Sequence, residues 1–437
     1  MSTTHSTPAT PATPAPTEIS TGAFDSRRAW RIAVGWAMLA IALRIVWLAI
    51  EPPVPEWDGA IYHRTAQRIA AGMGFVDTWN NLPPYRPTAF YPVGYPATLG
   101  ALYALFGPAR WVAGALNVLS SGIATAAVSR MAHRAWGRAP GHVAGLLFAC
   151  SPGSIVYCSA YMTELLSAAT LCLAMLSMLR YRRTGGSPGW AILAGLLLGF
   201  SGLVRPPALL IAPILALVSR AHTRSTLRES LRALTLVGLS CCAVVLPWTA
   251  RNCRQLDGCA LVSLNGGSNL WIGADPSALG GYRDIRIGEA CLRVRGEVAK
   301  DRCFGRLATQ RIRERPLQWL ALAPLKVGHL LGYESSPVSY LRAATHQRAF
   351  AQTETAMYAL MTAYHWILLS LALIAVAPLR RSKHPPEVTL SIAVVLGFVG
   401  VYVVFFGVDR YHFVFTPLLS LLASGSVRRA TPPEPTP

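Results

Sequence analysis

Long apolar runs separated by arginine clusters set the pattern of this chain. The runs cover roughly 30–50, 110–131, 139–157, 160–181, 188–204, 206–219, 230–250, 355–377, 388–408 and 411–425. A helix needs roughly 20 apolar residues to cross the hydrocarbon core of a bilayer. Open strands cannot cross it, because lipid leaves their backbone groups without partners. The pattern therefore predicts an all-α polytopic membrane protein with ten crossings.

Two apolar pieces fit less well. Gly94–Phe106 and Trp319–Leu331 would each make about 20 Å of helix, against a core of about 30 Å. Both are expected to be interfacial or re-entrant helices on the outer face. If both cross, twelve spans result, so the expected range is 10–12.

The arginines set the direction. Arg27/Arg28, Arg130/Arg134/Arg138, Arg180/Arg182/Arg183, Arg220/Arg224/Arg228, Arg380/Arg381/Lys383 and Arg428/Arg429 alternate with turns that carry little charge. Placing all six clusters in the cytoplasm satisfies the positive-inside rule with ten crossings and both termini inside. Two long outer loops follow, at 51–93 and 251–317. The second holds Cys253, Cys259, Cys291 and Cys303, expected to be oxidised outside the cytoplasm, with three pairings open.

Composition narrows the class. Of 437 residues, 52% are hydrophobic and 14% charged, against about 25% charged in a soluble domain. The net charge of +20 lies at span ends rather than on an aromatic-studded basic platform, so nucleic acid is not an expected partner. Residues 1–23 are rich in Thr, Pro, Ala and Ser and are expected to be disordered. Arg27, Arg28 and Arg31 then lead into a span without an A-x-A cleavage pattern, which reads as a retained first helix. The expected organisation is a cytoplasmic tail at 1–26, a transmembrane domain at 27–425 and a short cytoplasmic tail at 426–437, with no length left for a separate soluble domain.

Ionisable residues in or near spans are costly and often functional. Arg44, Glu164, Arg205, Asp409 and Arg410 all fall near the outer face on this topology, as does Asp58. Each has a plainer reading. Arg44 could snorkel, Glu164 could be a first-turn acid, Arg205 a loop charge, and Asp409 with Arg410 a local ion pair. Their shared side argues for three acids and three arginines converging. In EWDGAIYHRTAQRIAAGMGF, Asp58 and Tyr62 share a helical face by i, i+4 spacing, with His63 close to it. The next stretch, YRPTAFYPVGYPATL, brings Arg86, Tyr91 and Tyr95, enough to line a groove with rings and hydroxyls.

At these motifs the chain resembles the polyprenyl-phosphate-sugar-dependent glycosyltransferases of the GT-C superfamily, which include protein O-mannosyltransferases and the lipid A aminoarabinose transferase. The resemblance spans about 27–425. It rests on IALRIVWL with EWDGAIYH, FYPVGYPATLGALYALFG, YMTELLSAA, GFSGLVRPPALL, LPWTARN with VSLNGGSNLWIGADPSALGGY, and DRYHFVFTPLL, in that order. It implies a GT-C bundle with an outer active face in an inner membrane, a polyprenyl-phosphate sugar donor, and a lipid, protein or glycan acceptor. It makes Asp58 and Glu164 the catalytic acids. Arg205, with Arg44, Arg86 or Arg410, becomes the partner of the donor phosphate. Tyr62, His63, Tyr91, Tyr95, Asn265 and Tyr411 complete the expected substrate-binding set. Where some relatives have two adjacent acids, this chain has Asp58-Gly59.

No cofactor is expected to be obligatory. A divalent metal, if used, would take Asp58 and Glu164, with His63 as a further ligand. A transporter or flippase of a lipid-linked sugar is the alternative, disfavoured by charges near the outer end and by the lack of internal repeats. A non-catalytic membrane subunit is a third reading.

Overall fold

The computed structural model describes residues 17–76, 84–218, 226–285, 289–345, 348–377 and 384–428. The tail at 1–16 and Arg220, Arg224, Arg380, Arg381, Lys383 and Arg429 lie outside them. Eighteen α-helices form the described chain. The first half comprises α1 (Thr17–Ile50), α2 (Asp58–Ala70), α3 (Gly94–Phe106), α4 (Arg110–Trp136), α5 (Arg138–Ala149), α6 (Pro152–Val156), α7 (Glu164–Arg183), α8 (Pro188–Val204) and α9 (Pro207–Val218). After them come α10 (Leu227–Gln255), α11 (Gly266–Gly273), α12 (Glu297–Glu314), α13 (Pro316–Ala321), α14 (Ala323–Leu331), α15 (Ser336–Thr345), α16 (Arg348–Val376), α17 (Pro386–Val404) and α18 (Thr416–Ser424). The only pairing of β type among the described residues is the isolated bridge Val76–Pro87.

All ten apolar runs become helix, but not ten equal spans. Six helices are long and apolar enough to cross alone: α1 from Arg27, α4, α7, α10, α16 from Thr353, and α17. The run expected at 139–157 is broken into α5 and α6 with a 50° bend. Pro152 opens α6 and cannot donate the hydrogen bond that would continue α5. The remaining three runs give shorter apolar helices, Pro188–Val204, Pro207–Val218 and Thr416–Val427. The described part of α9 has twelve residues, about 18 Å of helix. The helix α1 starts at Thr17, and residues 1–16 of the tail expected to be disordered lie outside the described residues.

Packing follows small residues. A Cβ on Gly195 of α8 would lie 2.0 Å from Ser240 Oγ, and one on Gly199 would lie 2.7 Å from the Cys241 carbonyl. These glycines let α8 and α10 approach backbone to backbone, a device common between membrane helices. Side chains such as Met38, Val46, Leu239, Leu360 and Leu373 face outward, as lipid-facing positions do. The capping box of Thr226 and Glu229 starts α10.

The described parts of the loops at 51–93 and 251–317 pack onto one another. Glu297 of α12 accepts from Thr88 Oγ1 at 2.6 Å and from the Ala89 amide at 3.0 Å. The Leu264 amide donates to the Ala89 carbonyl at 2.8 Å. Arg251 donates to the carbonyls of Thr88 and Phe75. The 251–317 loop thus clamps the strip that leads into Tyr91. Asp257 receives the first amides of α12, and Asp301 those of α11. Each carboxylate satisfies helix-start donors that would otherwise lack partners. Two disulfides, Cys253–Cys259 and Cys291–Cys303, staple this loop.

Candidate active site

Asp58 is the first residue of α2, and the residue before it is strained. Trp57 has φ 47°, a left-handed conformation that costs a bulky residue roughly 1–3 kcal/mol and clusters at functional sites. Its ring packs edge-on against Tyr340. Gly59 then passes so close to Tyr161 that a Cβ would lie 3.0 Å from the Tyr161 Cβ. A second acid beside Asp58 would require Tyr161 to shift.

Two ion pairs form the centre. Arg410 donates to Asp58 Oδ2 at 2.9 Å and to the Tyr340 hydroxyl at 2.6 Å. Tyr91 donates to the other Asp58 oxygen at 2.8 Å. Arg205 donates to Glu164 Oε1 at 2.7 Å, to Thr163 Oγ1 at 2.9 Å and to the Tyr402 hydroxyl at 3.1 Å. Tyr411 joins the pairs: the Arg205 guanidinium lies 4.8 Å from its ring centre and that of Arg410 5.4 Å. Tyr402 stacks on Tyr411 at 4.5 Å.

The pairs differ in access. The Asp58 and Arg410 side chains are 25% and 20% exposed, whereas Glu164 is fully buried and Arg205 is 11% exposed. Burial, then the Asp58 charge, raises the Tyr91 phenol above its ordinary pKa, so it stays a donor to Asp58 at neutral pH. Tyr62 lies edge-on to Tyr91 and Tyr95. His63 bonds the Tyr103 hydroxyl at 2.7 Å, and burial, then Arg64 and Arg110, lowers its pKa.

Three expectations are corrected by position. Arg44 does not join the acids. It is fully buried and donates to the carbonyls of Ala149 and Phe148, satisfying the end of α5. Asp409 does not pair with Arg410. It accepts from the amides and hydroxyls of Ser335 and Ser336, where it caps the start of α15. The converging set therefore holds two acids and two arginines. Asp58 and Glu164 also make a poor metal site, because each carboxylate already faces a guanidinium and His63 Nδ1 is bonded to Tyr103.

Arg86 is exposed on the strip before Thr88. Asn265 precedes α11 and accepts from Ser263 Oγ at 3.0 Å. An open groove of about 880 Å³ lies between α11 and α12, lined by Arg302, Arg306 and Arg313 among others, and holds neither ion pair. Tyr340, Tyr402 and Thr163 were not anticipated. Tyr340 and Tyr402 lie far from their partners in sequence, and only Thr163, beside Glu164, carried a local signal.

Residues 91–248 match the family model described as dolichyl-phosphate-mannose-protein mannosyltransferase. The archaeal oligosaccharyltransferase AglB from Archaeoglobus fulgidus, in complex with an inhibitory peptide and a dolichol-phosphate, aligns over 92% of this chain with TM-score 0.55 and 14% identity. The chain has a GT-C fold. This chain spans 50% of that AglB, about half its length. AglB in complex with Zn and sulfate aligns over 90% of this chain and 48% of its own, with TM-score 0.53 and 14% identity. ArnT from Cupriavidus metallidurans, bound to undecaprenyl phosphate, aligns over 90% of this chain and 78% of its own, with TM-score 0.40 and 16% identity. No curated protein sequence matches the chain.

Proposed function

We propose that this protein moves a hexosyl or pentosyl group from a polyprenyl phosphate to an acceptor on the extracytoplasmic face of an inner membrane. The arrangement of Asp58, Arg410, Tyr411, Arg205 and Glu164 carries this reading. The mannosyltransferase family match over 91–248 and the GT-C fold support it.

The donor phosphate is a strong acceptor for guanidinium groups. When it takes Arg410, the carboxylate of Asp58 is released from its ion pair. Asp58 then receives the acceptor proton. The acceptor oxygen forms a bond to the anomeric carbon as the bond from that carbon to the phosphate oxygen breaks. The departing polyprenyl phosphate keeps the electron pair, and Arg410 and Arg205 stabilise its charge. A single in-line displacement of this kind inverts the anomeric centre. Glu164, out of reach of solvent, holds Arg205 in place rather than meeting the acceptor. Tyr91 orients Asp58, and the clamped outer loops exclude water that would hydrolyse the donor.

The orientation rests on the six arginine clusters and on the two disulfides of the outer loop. The test of function is turnover of a panel of polyprenyl-phosphate sugars by protein in liposomes. Arg205→Ala and Arg410→Ala should each weaken use of the donor by at least tenfold. A panel-wide absence of transfer, together with passage of labelled lipid-linked sugar between leaflets, would favour a flippase.

A further inference from the structure

The buried group Glu334, His365 and His412 takes no part in the chemistry above. Glu334 lies in the turn between α14 and α15, His365 in the middle of α16, and His412 in the 3-10 turn Asp409–Val414. All three are 2% exposed or less. Ionisable residues at such depth in a membrane helix are expensive and demand a partner.

Their polar atoms are only partly satisfied by one another. The His412 ring bonds the Leu330 carbonyl through Nδ1 at 3.0 Å. That contact places the ring proton on Nδ1 and leaves Nε2 as a lone pair. Nε2 of the neutral ring then faces Glu334 Oε1 at 3.1 Å, a contact that closes only with a proton on one of the two atoms or a cation between them. His365 Nδ1 stands 3.5 Å from the same oxygen. Both nitrogens of His365 and Oε2 of Glu334 lack a hydrogen bond. The Leu331 backbone lies within interaction range of the His365 ring. Buried polar atoms left in this state ask for an ion or a water.

The spacing fits an ion. All three ligand atoms lie within 4.8 Å of one another. Tetrahedral zinc with ligands at about 2.0–2.1 Å holds them roughly 3.3 Å apart, and two of the three separations are already 3.1 and 3.5 Å. Two imidazoles and one carboxylate form a common three-ligand zinc set, leaving the fourth position to water. The surroundings are built for it. A Cβ at Gly153 would lie 2.0 Å from Glu334 Oε2, so only glycine leaves space for the carboxylate. Asp409 fixes the Ser335–Ser336 amides beside Glu334, and the Leu330 carbonyl fixes the His412 tautomer.

We infer that Glu334, His365 and His412 bind one zinc-class divalent cation, which ties the turn carrying Arg410 to α16 and to the start of α15. The site is separate from Asp58 and Glu164 and does not depend on the proposed transfer.

The test uses purified full-length protein in detergent or nanodiscs, stripped with chelator, reloaded with zinc chloride and desalted. Elemental analysis should find one zinc per chain in the wild type and in Asp58→Asn. Glu334→Gln and His365→Gln should each retain less than a tenth of that. Zinc should raise the wild-type melting temperature by roughly 5 °C and leave both ligand variants unmoved. Reloading with cobalt should give the visible absorption of a tetrahedral site in the wild type, which does not depend on the variants folding. Zinc-free wild type, zinc retained equally by both ligand variants, or zinc lost in Asp58→Asn would each overturn the assignment.

Discussion

The Arg410 guanidinium lies 2.9 Å from Asp58 Oδ2, although 352 residues separate them. The pair ties the start of α2 to the segment just before the last apolar helix. It is partly open to solvent, whereas the Glu164–Arg205 pair beneath it is nearly closed. This difference fits the proposed roles: the open pair can exchange its partner for substrate, and in the closed pair Glu164 holds Arg205 in place for the donor phosphate.

Tyr91 tests whether Asp58 needs orienting. Its hydroxyl donates to Asp58 at 2.8 Å, and a charge-assisted hydrogen bond is worth about 1.5–3 kcal/mol. Tyr91→Phe should lower kcat roughly 10–100-fold with little change in folding. Unchanged kcat in steady-state assays would remove Tyr91 from the account.

The Glu164–Arg205 pair predicts a stability effect. Removing one member of a buried pair typically costs about 3–5 kcal/mol, because the other is left unpaired. Arg205→Met should therefore lower the melting temperature clearly, and Glu164→Gln should do the same. The combined Glu164→Gln, Arg205→Met variant should lose less than the sum of the two. Additive losses in a thermal-shift series would show that the side chains act independently.

The disulfides predict a count. Of nine cysteines, four are bridged and five are free. Denatured, unreduced protein should take five thiol labels, rising to nine after reduction. Nine labels before reduction would contradict both bridges.

The arginine pattern predicts which side each loop faces. A reporter fused after Arg183 should be cytoplasmic. An outward-facing reporter there would invert the middle of the chain and overturn the arginine topology.

The sequence made the helical membrane class legible because spans repeat a long local pattern. Asp58, Arg205 and Arg410 were legible because charges near spans are rare and costly. The partners were harder to read. Arg44 has the same sequence signature as Arg205, yet it satisfies carbonyls at the end of α5, and only the packing of α1 on α5 decides that. Asp409 and Arg410 are neighbours in sequence, but their side chains go to Ser335–Ser336 and to Asp58 respectively, as a 3-10 turn permits. Glu334, His365 and His412 come from three separate elements with no ligand spacing between them, so nothing local announced the cluster.

The most direct test of the central claim is sugar transfer from polyprenyl phosphate by reconstituted protein, wild type against Asp58→Asn, using a donor the wild type turns over. General-base groups commonly contribute about 10²–10⁴-fold. The account predicts a loss in that range for a variant whose melting temperature and detergent elution match the wild type. Transfer at the wild-type rate by folded Asp58→Asn would contradict it.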